Sequence, residues 1–278
     1  MARITKTAKN EAPVTSSVPL RLAAKQERVF REVLTLLESQ KLPYAVAGEF
    51  ALRQHTGICR FTKDLDVFLS SKDISIALGL LQKKGFRCEI PDPVWLAKAR
   101  REGYFVDLIG GMSNGVIAVG SSWIERSLPA TIVGIKTRVL APEELIASKL
   151  FVSRRERFDG ADIAHVIYAS RGTLEWPRIL DLAGEHWEVV LWNLVLFRYV
   201  YPARSEYIPR SVWESLLTRF ADQVRSPDRH AKFRGSLIDP RMFAIDVEEW
   251  GMDDILKENL SRSPKICPLP RIPRRHAR

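Results

Sequence analysis

Cysteines are few in this sequence, and they are scattered. The three of them, Cys59, Cys88 and Cys267, form no C-x-x-C pair and are odd in number. Clustered or evenly paired cysteines mark zinc sites and disulfide frameworks, so this pattern argues against both. It is typical of proteins from a reducing compartment, and we predict a cytoplasmic protein.

Long apolar runs are also missing. The longest, Trp187 to Tyr201, is interrupted by Glu188, Asn193 and Arg198. It is shorter than the roughly 20 residues that a helix needs to cross a bilayer. The N-terminus lacks the apolar core of a secretory signal. We therefore expect no membrane partner and predict that this run is a buried helix.

Acidic residues are scarce at the two ends of the chain. The net charge is +10, but residues 261–278 carry six basic residues and no acid, and residues 1–19 carry three basic residues and one acid. The region between them is therefore close to neutral. Both ends are polar and of low complexity, so a disordered leader and a disordered basic tail are predicted. Such tails either bind nucleic-acid phosphates or are simply solvated.

The body of the chain has a globular composition, with 46% hydrophobic and 27% charged residues. Strand and helix patterns alternate up to about residue 140, and from Pro142 onwards the pattern is helical. This change predicts an α/β domain over residues 20–140 and a helical domain over residues 141–260. Within the first domain we predict strands at 44–47, 86–90, 104–109 and 115–119, a hairpin at 131–140 and a short helical segment at 94–99.

One motif in the first domain has the chemistry of a metal site. Asp64 and Asp66 are two residues apart in a predicted strand, so they share one face while Leu65 and Val67 point into the core. Two adjacent carboxylates repel each other unless a cation lies between them, and oxygen ligands suit Mg²⁺ or Mn²⁺. The alternative is an exposed strand edge with two solvated acids.

Asp107 is a third candidate acid. It lies within the predicted strand 104–109, on the same face as Phe105 and Ile109, and Gly110 and Gly111 follow the strand. An acid among apolar neighbours is costly to bury unless it is paired or bound to metal. An exposed edge strand is the alternative.

The helical half of the chain adds a lysine and two acids. Lys149 borders the apolar side of a helix that begins at Pro142, where it either extends its ammonium to solvent or binds phosphate. Asp159 is predicted to be a helix N-cap. Asp162 lies in the first turn of that helix, directly before the core-facing Ile163, and capping does not explain it.

These motifs resemble those of a known superfamily. The DNA polymerase β-type nucleotidyltransferases have a glycine that opens a helix, acids on a following strand and a later third acid, as in Gly48, Arg60-x-Thr62-Lys63-Asp64-x-Asp66 and Asp107. The stretch Pro142-Glu143-Glu144-Leu-Ile-x-x-Lys149, followed by Arg157-x-Asp159-x-x-Asp162, resembles the AbiEii-like branch. That branch includes nucleotidyltransferase toxins of bacterial toxin–antitoxin systems.

The resemblance implies a fold and a set of roles. The fold would be a small mixed sheet flanked by helices, followed by an all-helical domain. Asp64, Asp66 and Asp107 would be the catalytic acids and would bind Mg²⁺ or Mn²⁺, with Asp107 either a ligand or the group that activates the acceptor. Residues implied to lie around the bound nucleotide triphosphate are Gly48, Glu49, Arg60, Thr62, Lys63, Lys149 and Asp162. The partners implied are an acceptor, RNA among the candidates, and an antitoxin or neighbouring-gene product.

Glu49 departs from the family pattern, which has glycine or serine directly after the first glycine. Its bulk and charge would oppose phosphate unless the side chain points away. Three hypotheses therefore stand. The first is a metal-dependent transfer of a nucleoside monophosphate to an RNA end, a protein hydroxyl or a small molecule, with two divalent ions held by Asp64, Asp66 and Asp107. The second is a non-catalytic nucleotide or protein binder on the same fold, and the third is a nucleic-acid-binding module that uses the tails.

Overall fold

The computed structural model describes residues 21–268. The predicted leader, residues 1–19, and residues 269–278 of the predicted tail lie outside the described residues. The first residues of that tail are placed against the folded body. The side chain of Ile266 is buried, and its backbone N–H donates to the carbonyl of Pro93 at 2.7 Å.

Seven strands form the main sheet, and two short strands form a separate ribbon. In chain order they are β1 (Ala45–Val46), β2 (Asp64–Phe68), β3 (Arg87–Asp92), β4 (Leu96–Arg101), β5 (Tyr104–Ile109), β6 (Leu128–Ile132) and β7 (Ile135–Val139), with the ribbon formed by β8 (Ser153–Arg154) and β9 (Arg157–Phe158). The order across the sheet is β3-β4-β5-β2-β1-β7-β6. The pairs β2–β5 and β1–β7 are parallel and the others are antiparallel, so the sheet is mixed.

Two predictions about the strands were wrong. The segment 94–99, predicted to be helical, lies largely in β4, which pairs with strands on both sides. A short apolar run fits either a helix or a buried strand, and here the pairing partners decide between them. The strand predicted at 115–119 is reduced to one isolated bridge between Gly111 and Ala118. The hairpin predicted at 131–140 is confirmed as β6 and β7, with its turn at Val133 and Gly134.

Twelve α-helices surround and extend the sheet in residues 21–268. They are α1 (Ala24–Ser39), α2 (Gly48–Thr56), α3 (Ser71–Lys83), α4 (Ser121–Glu125), α5 (Pro142–Ala147), α6 (Gly160–Ser170), α7 (Trp176–Ala183), α8 (Trp187–Val200), α9 (Arg210–Arg225), α10 (Gly235–Ile238), α11 (Ala244–Glu248) and α12 (Leu256–Arg262). None of these helices combines the length and apolar character needed to cross a membrane.

The helices and the sheet share one continuous hydrophobic core. Helices α1 and α3 contact each other and the strands of the sheet, and α2 contacts β2 and β7 as well as α5 and α6. Buried side chains run without a break from Val29 in α1 to Leu216 in α9. The helix predicted at 187–201 is confirmed as α8, but it is buried on one face only. Trp187, Leu194 and Phe197 are almost fully buried, whereas Trp192, Val195 and Tyr199 are exposed. Through α2 and α6, residues from both halves of the chain reach the same region of the sheet.

Candidate active site

A cavity of about 610 Å³ opens beside the start of α2 and the acidic residues of β2. Its wall combines residues of β2, β5, the loop before β2, the segment after α5 and the first turn of α6. All ten site residues predicted from the sequence line it, namely Gly48, Glu49, Arg60, Thr62, Lys63, Asp64, Asp66, Asp107, Lys149 and Asp162. Residues more than 100 positions apart in the chain therefore meet at one site.

The pleat of β2 and its pairing with β5 bring the three acids together. Leu65 and Val67 are fully buried, while Asp64 and Asp66 on the opposite face reach the cavity. Strand β5 runs parallel to β2 with Asp107 as the direct partner of Asp66. Partners in adjacent strands point to the same face of a sheet, so all three carboxylates face the cavity.

Asp66 has a strongly perturbed carboxyl group. Its pKa is raised to about 7, first because burial disfavours the ionised form and then because Asp64 and Asp107 repel its charge. Arg157 and Lys149 oppose this shift, but they do not cancel it. A cation placed beside Asp66 would offset both the cost of burying its charge and the repulsion from the neighbouring acids. A carboxyl group with a pKa raised in this way, in a cavity, is a candidate functional group.

Gly48 provides the space that Asp66 occupies. The backbone of Gly48 has φ of +53°, and an ideal Cβ there would lie only 1.8 Å from Oδ2 of Asp66. The adjoining backbone is fixed by a 2.9 Å hydrogen bond from the N–H of Ala47 to the carbonyl of Asp66. Glycine is therefore required at this position both by conformation and by space.

Asp107 is already paired with a cation. Lys98, its cross-strand partner in β4, donates to both carboxylate oxygens of Asp107, at 2.8 and 2.7 Å. Burial raises the pKa of Asp107, Lys98 opposes the rise, and Asp64 adds to it, so that the pKa lies above its ordinary value. Sequence reasoning missed Lys98 because it predicted a helix where β4 lies. Recognising β4 as the neighbour of β5 would have revealed the pair.

Lys149 lies at the centre of a buried network of ion pairs. Its Nζ is 2.7 Å from Oδ2 of Asp159 and 2.9 Å from Oδ2 of Asp162. The sequence pattern allows an ammonium that extends to solvent or one that binds phosphate. Neither describes this lysine fully, because its side chain is 9% exposed and its ammonium binds two carboxylates. Burial alone would raise the pKa of Asp162, but Lys149 and Arg60 outweigh it and hold that pKa below its ordinary value.

Asp159 occupies the predicted N-cap position of α6, but its side chain makes no capping hydrogen bond. It accepts instead from Nζ of Lys149 at 2.7 Å and from two nitrogens of the Arg157 guanidinium at 2.9 and 2.8 Å. Together these cations outweigh burial and lower the pKa of Asp159. Arg157 lines the cavity and was assigned no role from the sequence, although it lies within the motif that suggested the AbiEii-like branch.

Glu49 is turned towards Arg60. The guanidinium of Arg60 donates to both carboxylate oxygens of Glu49, at 3.2 and 3.1 Å from Nε, and its Nη2 lies 2.9 Å from Oδ1 of Asp162. Burial lowers the pKa of Arg60, but Asp162 and Glu49 more than compensate and raise it. The charge that makes Glu49 unusual is thus neutralised by an arginine of the same cavity.

The loop before β2 contributes two further residues of the predicted set. The hydroxyl of Thr62 donates to the carbonyl of Asp64 at 2.9 Å and lies 3.3 Å from its Oδ1. The carbonyl of Thr62 accepts from the side chain of Gln26 in α1 at 2.8 Å, which ties the loop to the fold. Lys63 is exposed at the cavity wall.

A second cavity adjoins the first. Its volume is about 370 Å³, and it shares Trp95, Ser113, Asn114 and Arg154 with the larger cavity. Residues of the C-terminal segment, from Ser236 to Leu256, form its far side. The two cavities together provide room for a nucleotide and for a second molecule beside it.

Two of the acids have the chemistry to hold a divalent ion. Asp64 and Asp66 supply oxygen ligands, and Mg²⁺ is commonly held by one or two carboxylates together with substrate phosphates. The charge repulsion at Asp66 is consistent with a cation at this point. Residues 21–268 contain no group of three or more acidic, histidine or cysteine side chains spaced to hold a metal ion. Asp107 is bound to Lys98 and does not complete such a group with Asp64 and Asp66.

A mixed sheet of this kind, with acids on adjacent strands beside a glycine that opens a helix, defines a protein of the nucleotidyltransferase class. The chain belongs to the family described as nucleotidyl transferase of unknown function (DUF2204), whose model matches residues 26–179. No curated protein matches the sequence. The membership confirms the predicted superfamily and the predicted enzyme class, and the sheet and helices confirm the predicted α+β fold.

Several solved structures share low sequence identity with the chain. The antibiotic-resistance factor ANT(2″)-Ia is 15% identical, with 66% of this chain and 96% of that chain covered and a TM-score of 0.42. An antigenic nucleotidyltransferase-like protein from Paracoccidioides brasiliensis is 19% identical, with 67% and 95% covered and a TM-score of 0.43. The lincosamide antibiotic adenylyltransferase LnuA is 16% identical, with 52% and 96% covered and a TM-score of 0.38. The family assignment rests on the match over residues 26–179, and these similarities assign no substrate.

Proposed function

We propose that this protein is a metal-dependent nucleotidyltransferase that transfers a nucleoside monophosphate from a nucleotide triphosphate to a hydroxyl acceptor. The observation that carries the proposal is the pairing of Asp66 with Asp107 on adjacent parallel strands, with Asp64 on the same face of the same cavity. The raised pKa of Asp66 supports it, because repelling carboxylates in a cleft indicate a site built for a cation.

In this proposal the triphosphate lies at the start of α2. Backbone N–H groups in the first turn of a helix have no partner within the helix and carry partial positive charge, so they favour phosphate. Gly48 shapes this turn and leaves room for Asp66 beside it. Lys63 and Arg154 at the cavity wall add positive charge. Arg60 and Lys149 contribute as members of a network that already contains acids, so they hold the wall in shape as well as facing the nucleotide.

Asp64 and Asp66 would hold the divalent ion, Mg²⁺ or Mn²⁺. When bound, that ion would neutralise phosphate charge and keep the α-phosphorus aligned for in-line attack. Asp66 would contribute as a carboxylate, because a cation beside it offsets the repulsion that raises its pKa. Thr62 fixes the approach of the chain to Asp64 by donating to its backbone carbonyl.

The transfer step then uses Asp107 as a base. The acceptor hydroxyl oxygen forms a bond to the α-phosphorus, and the bond from that phosphorus to the bridging oxygen of the β-phosphate breaks. Pyrophosphate leaves with the electron pair of that bond, and the hydroxyl proton passes to the carboxylate of Asp107. A base with a raised pKa is better matched to this task near neutral pH than an ordinary aspartate.

The adjoining cavity is the proposed entry for the acceptor. It meets the larger cavity at Trp95 and Ser113, and Trp95 lies close to the end of β5, where its carbonyl accepts from the N–H of Gly110 at 2.8 Å. An acceptor that enters there reaches Asp107 from the side away from Gly48. An RNA 3′ end, a protein hydroxyl and a small molecule all remain candidate acceptors.

The finer assignments remain predictions. These are membership of the AbiEii-like branch, a role in a toxin–antitoxin system with an antitoxin partner, and a cytoplasmic location. Binding of nucleic acid by the basic ends concerns residues that lie mostly outside the described part of the chain. Deleting residues 1–19 and 269–278 should abolish such binding and leave nucleotide turnover unchanged.

The proposal is tested by labelling. The protein is incubated with Mg²⁺, cell extract and each α-labelled nucleotide triphosphate in turn, and both the released pyrophosphate and the labelled product are identified. The double substitution Asp64→Asn with Asp66→Asn should eliminate pyrophosphate release while the chain remains folded by circular dichroism. Substitution of the exposed Asp181 by Asn is the matched control and should change neither pyrophosphate release nor the circular dichroism spectrum. Turnover by the folded double variant would contradict the assigned site.

A non-catalytic binder on the same fold is the second candidate, and one observation favours it. The cations Arg60, Lys149 and Arg157 are each bound to carboxylates of the same cavity, which reduces the positive charge that they offer to phosphate. Stable binding of Mg²⁺ and nucleotide triphosphate with no pyrophosphate release in any extract would support this alternative over transfer.

A further inference from the structure

Three charged side chains form a row across the centre of the sheet. Lys98 of β4 is the cross-strand partner of Asp107 in β5, and Asp107 is the partner of Asp66 in β2. Partners in neighbouring strands share a face, so the ammonium and both carboxylates point to the same side. The row therefore places a fixed positive charge next to the acids, on the side away from Gly48.

Lys98 is held in this position by more than one contact. Its Nζ binds both oxygens of Asp107, at 2.8 and 2.7 Å, and lies 5.9 Å from the centre of the Phe105 ring. An ammonium over an aromatic face at this distance is attracted by the ring. The side chain is 28% exposed and that of Asp107 is 13% exposed, so water screens the pair only partly.

A second divalent ion would need the oxygens that Lys98 occupies. In two-metal sites the ions lie about 3.5–4 Å apart and share carboxylates that bridge or flank them. An ion ligated by Asp107 would meet the Lys98 ammonium at short range, where two cations repel strongly.

We infer that the protein binds one divalent ion, at Asp64 and Asp66, and that Lys98 supplies the positive charge that a second ion would provide. The inference rests on the proposed function, which it makes more specific. Asp107 is then a base that Lys98 orients and not a metal ligand. Lys98 acts through Asp107 and is a positioning residue.

The number of bound ions tests this directly. Mn²⁺ is titrated into the protein without nucleotide, and the free Mn²⁺ is measured by electron paramagnetic resonance. We expect one Mn²⁺ per wild-type chain, one in Asp107→Asn and none in the double variant Asp64→Asn with Asp66→Asn. Substitution of Lys98 by Met, which frees Asp107 and keeps the length of the side chain, should raise the number to two.

Substitution of Lys63 by Met is the control, because Lys63 is a lysine of the same cavity and its removal changes the charge equally. This variant should still bind one ion. Two ions in the wild-type chain, or no gain on substitution of Lys98, would overturn the inference. The Asp107→Asn variant gives an answer even if the Lys98 variant does not fold, since loss of an ion there would show that Asp107 is a ligand.

Pyrophosphate release by the wild-type chain separates this inference from the proposed function. Release by a wild-type chain that binds two ions would leave the function in place and remove the role of Lys98. A wild-type chain that binds one ion, gains a second in the Lys98 variant and releases no pyrophosphate with any nucleotide would contradict the proposed function. It would still support the inference about the number of ions.

Discussion

Gly48 and Asp66 are packed so closely that a single methyl group would not fit between them. An ideal Cβ on Gly48 would lie 1.8 Å from Oδ2 of Asp66 and 2.8 Å from its Cγ. The start of α2 and strand β2 therefore pack directly against each other at Gly48 and Asp66. This relationship fixes where Asp66 points, and it makes the glycine as specific to the site as the carboxylate.

Substitution of Gly48 by Ala should destabilise the protein and displace Asp66. The positive φ alone costs an alanine about 1–3 kcal/mol, and the collision with Asp66 adds to it. We expect a lower unfolding midpoint in urea and loss of pyrophosphate release. Gly79→Ala is the matched control, because Gly79 lies within α3 with no atom within 4 Å of its added Cβ. It should gain roughly 0.5–1 kcal/mol, and an equal loss in both variants would contradict the role of Gly48.

Asp66 should make the metal-free protein less stable as the pH rises. Its pKa is about 7 in the folded chain against 3.8 for the unperturbed group. Between these values the folded chain keeps a proton that the unfolded chain releases, so the free energy of unfolding falls by up to about 1.4 kcal/mol per pH unit. Above about pH 7 the Asp66 carboxyl is ionised in both the folded and the unfolded chain, so the free energy of unfolding falls no further on its account.

Asp66→Asn lacks this titration, so its stability relative to wild type should rise from pH 4 to pH 7 and then level off. The measurement is urea unfolding in the presence of EDTA across that range. Gly79→Ala, which removes no titratable group, should show a constant difference from wild type. A constant difference in the Asp66 variant as well would show that this carboxyl titrates normally.

Substitution of Lys149 by Met should destabilise the chain more than the removal of an exposed lysine. The change leaves Asp159 and Asp162 buried with fewer partners. Breaking a buried ion pair costs roughly 3–5 kcal/mol, and we expect a value near 3 because Arg157 and Arg60 still bind the two acids. Lys63→Met should stay within about 0.5 kcal/mol of wild type. Similar unfolding curves for both variants would place Lys149 outside the stabilising network.

The pairing of Glu49 with Arg60 should appear as coupling in nucleotide binding. Removing Arg60 alone releases the Glu49 carboxylate near the start of α2, where it would repel phosphate. We expect Arg60→Ala to weaken binding of a fluorescent nucleotide triphosphate by about tenfold, which corresponds to about 1.4 kcal/mol. The double variant Glu49→Ala with Arg60→Ala should recover much of that loss.

Arg87→Ala, which removes an exposed arginine of β3, is the control for this measurement and should leave binding unchanged. If the double variant binds as weakly as Arg60→Ala alone, Glu49 does not face the phosphates in the absence of Arg60. The effect of Arg60 would then come from its own contact with the nucleotide.

Local pattern was sufficient to place part of the site. The alternation in β2 assigns Asp64 and Asp66 to one face and Leu65 and Val67 to the other, because the side-chain period of a strand is two. The same alternation puts Asp107 on a defined face of β5. A glycine that follows a helical segment also indicates where the helix ends, and Gly57 follows α2 with a φ of +72°.

The remaining features depend on contacts between distant parts of the chain. Nothing local shows that Lys98 lies opposite Asp107, because that depends on the pairing of β4 with β5 and the sequence pattern left β4 looking helical. The direction of Glu49 depends on Arg60, and the role of Arg157 depends on a bend that returns Asp159 to Lys149. Patterns of local periodicity carry no information on such partners.

The sequence by itself determined the kinds of groups at this site and the faces of the strands on which they lie, because backbone geometry fixes side-chain alternation over a few residues. Only the tertiary structure decided which charges neutralise each other. Burial makes an unpaired carboxylate costly, and Glu49, Asp107, Asp159 and Asp162 bind the cations that the topology of the sheet and of α6 brings within hydrogen-bonding distance.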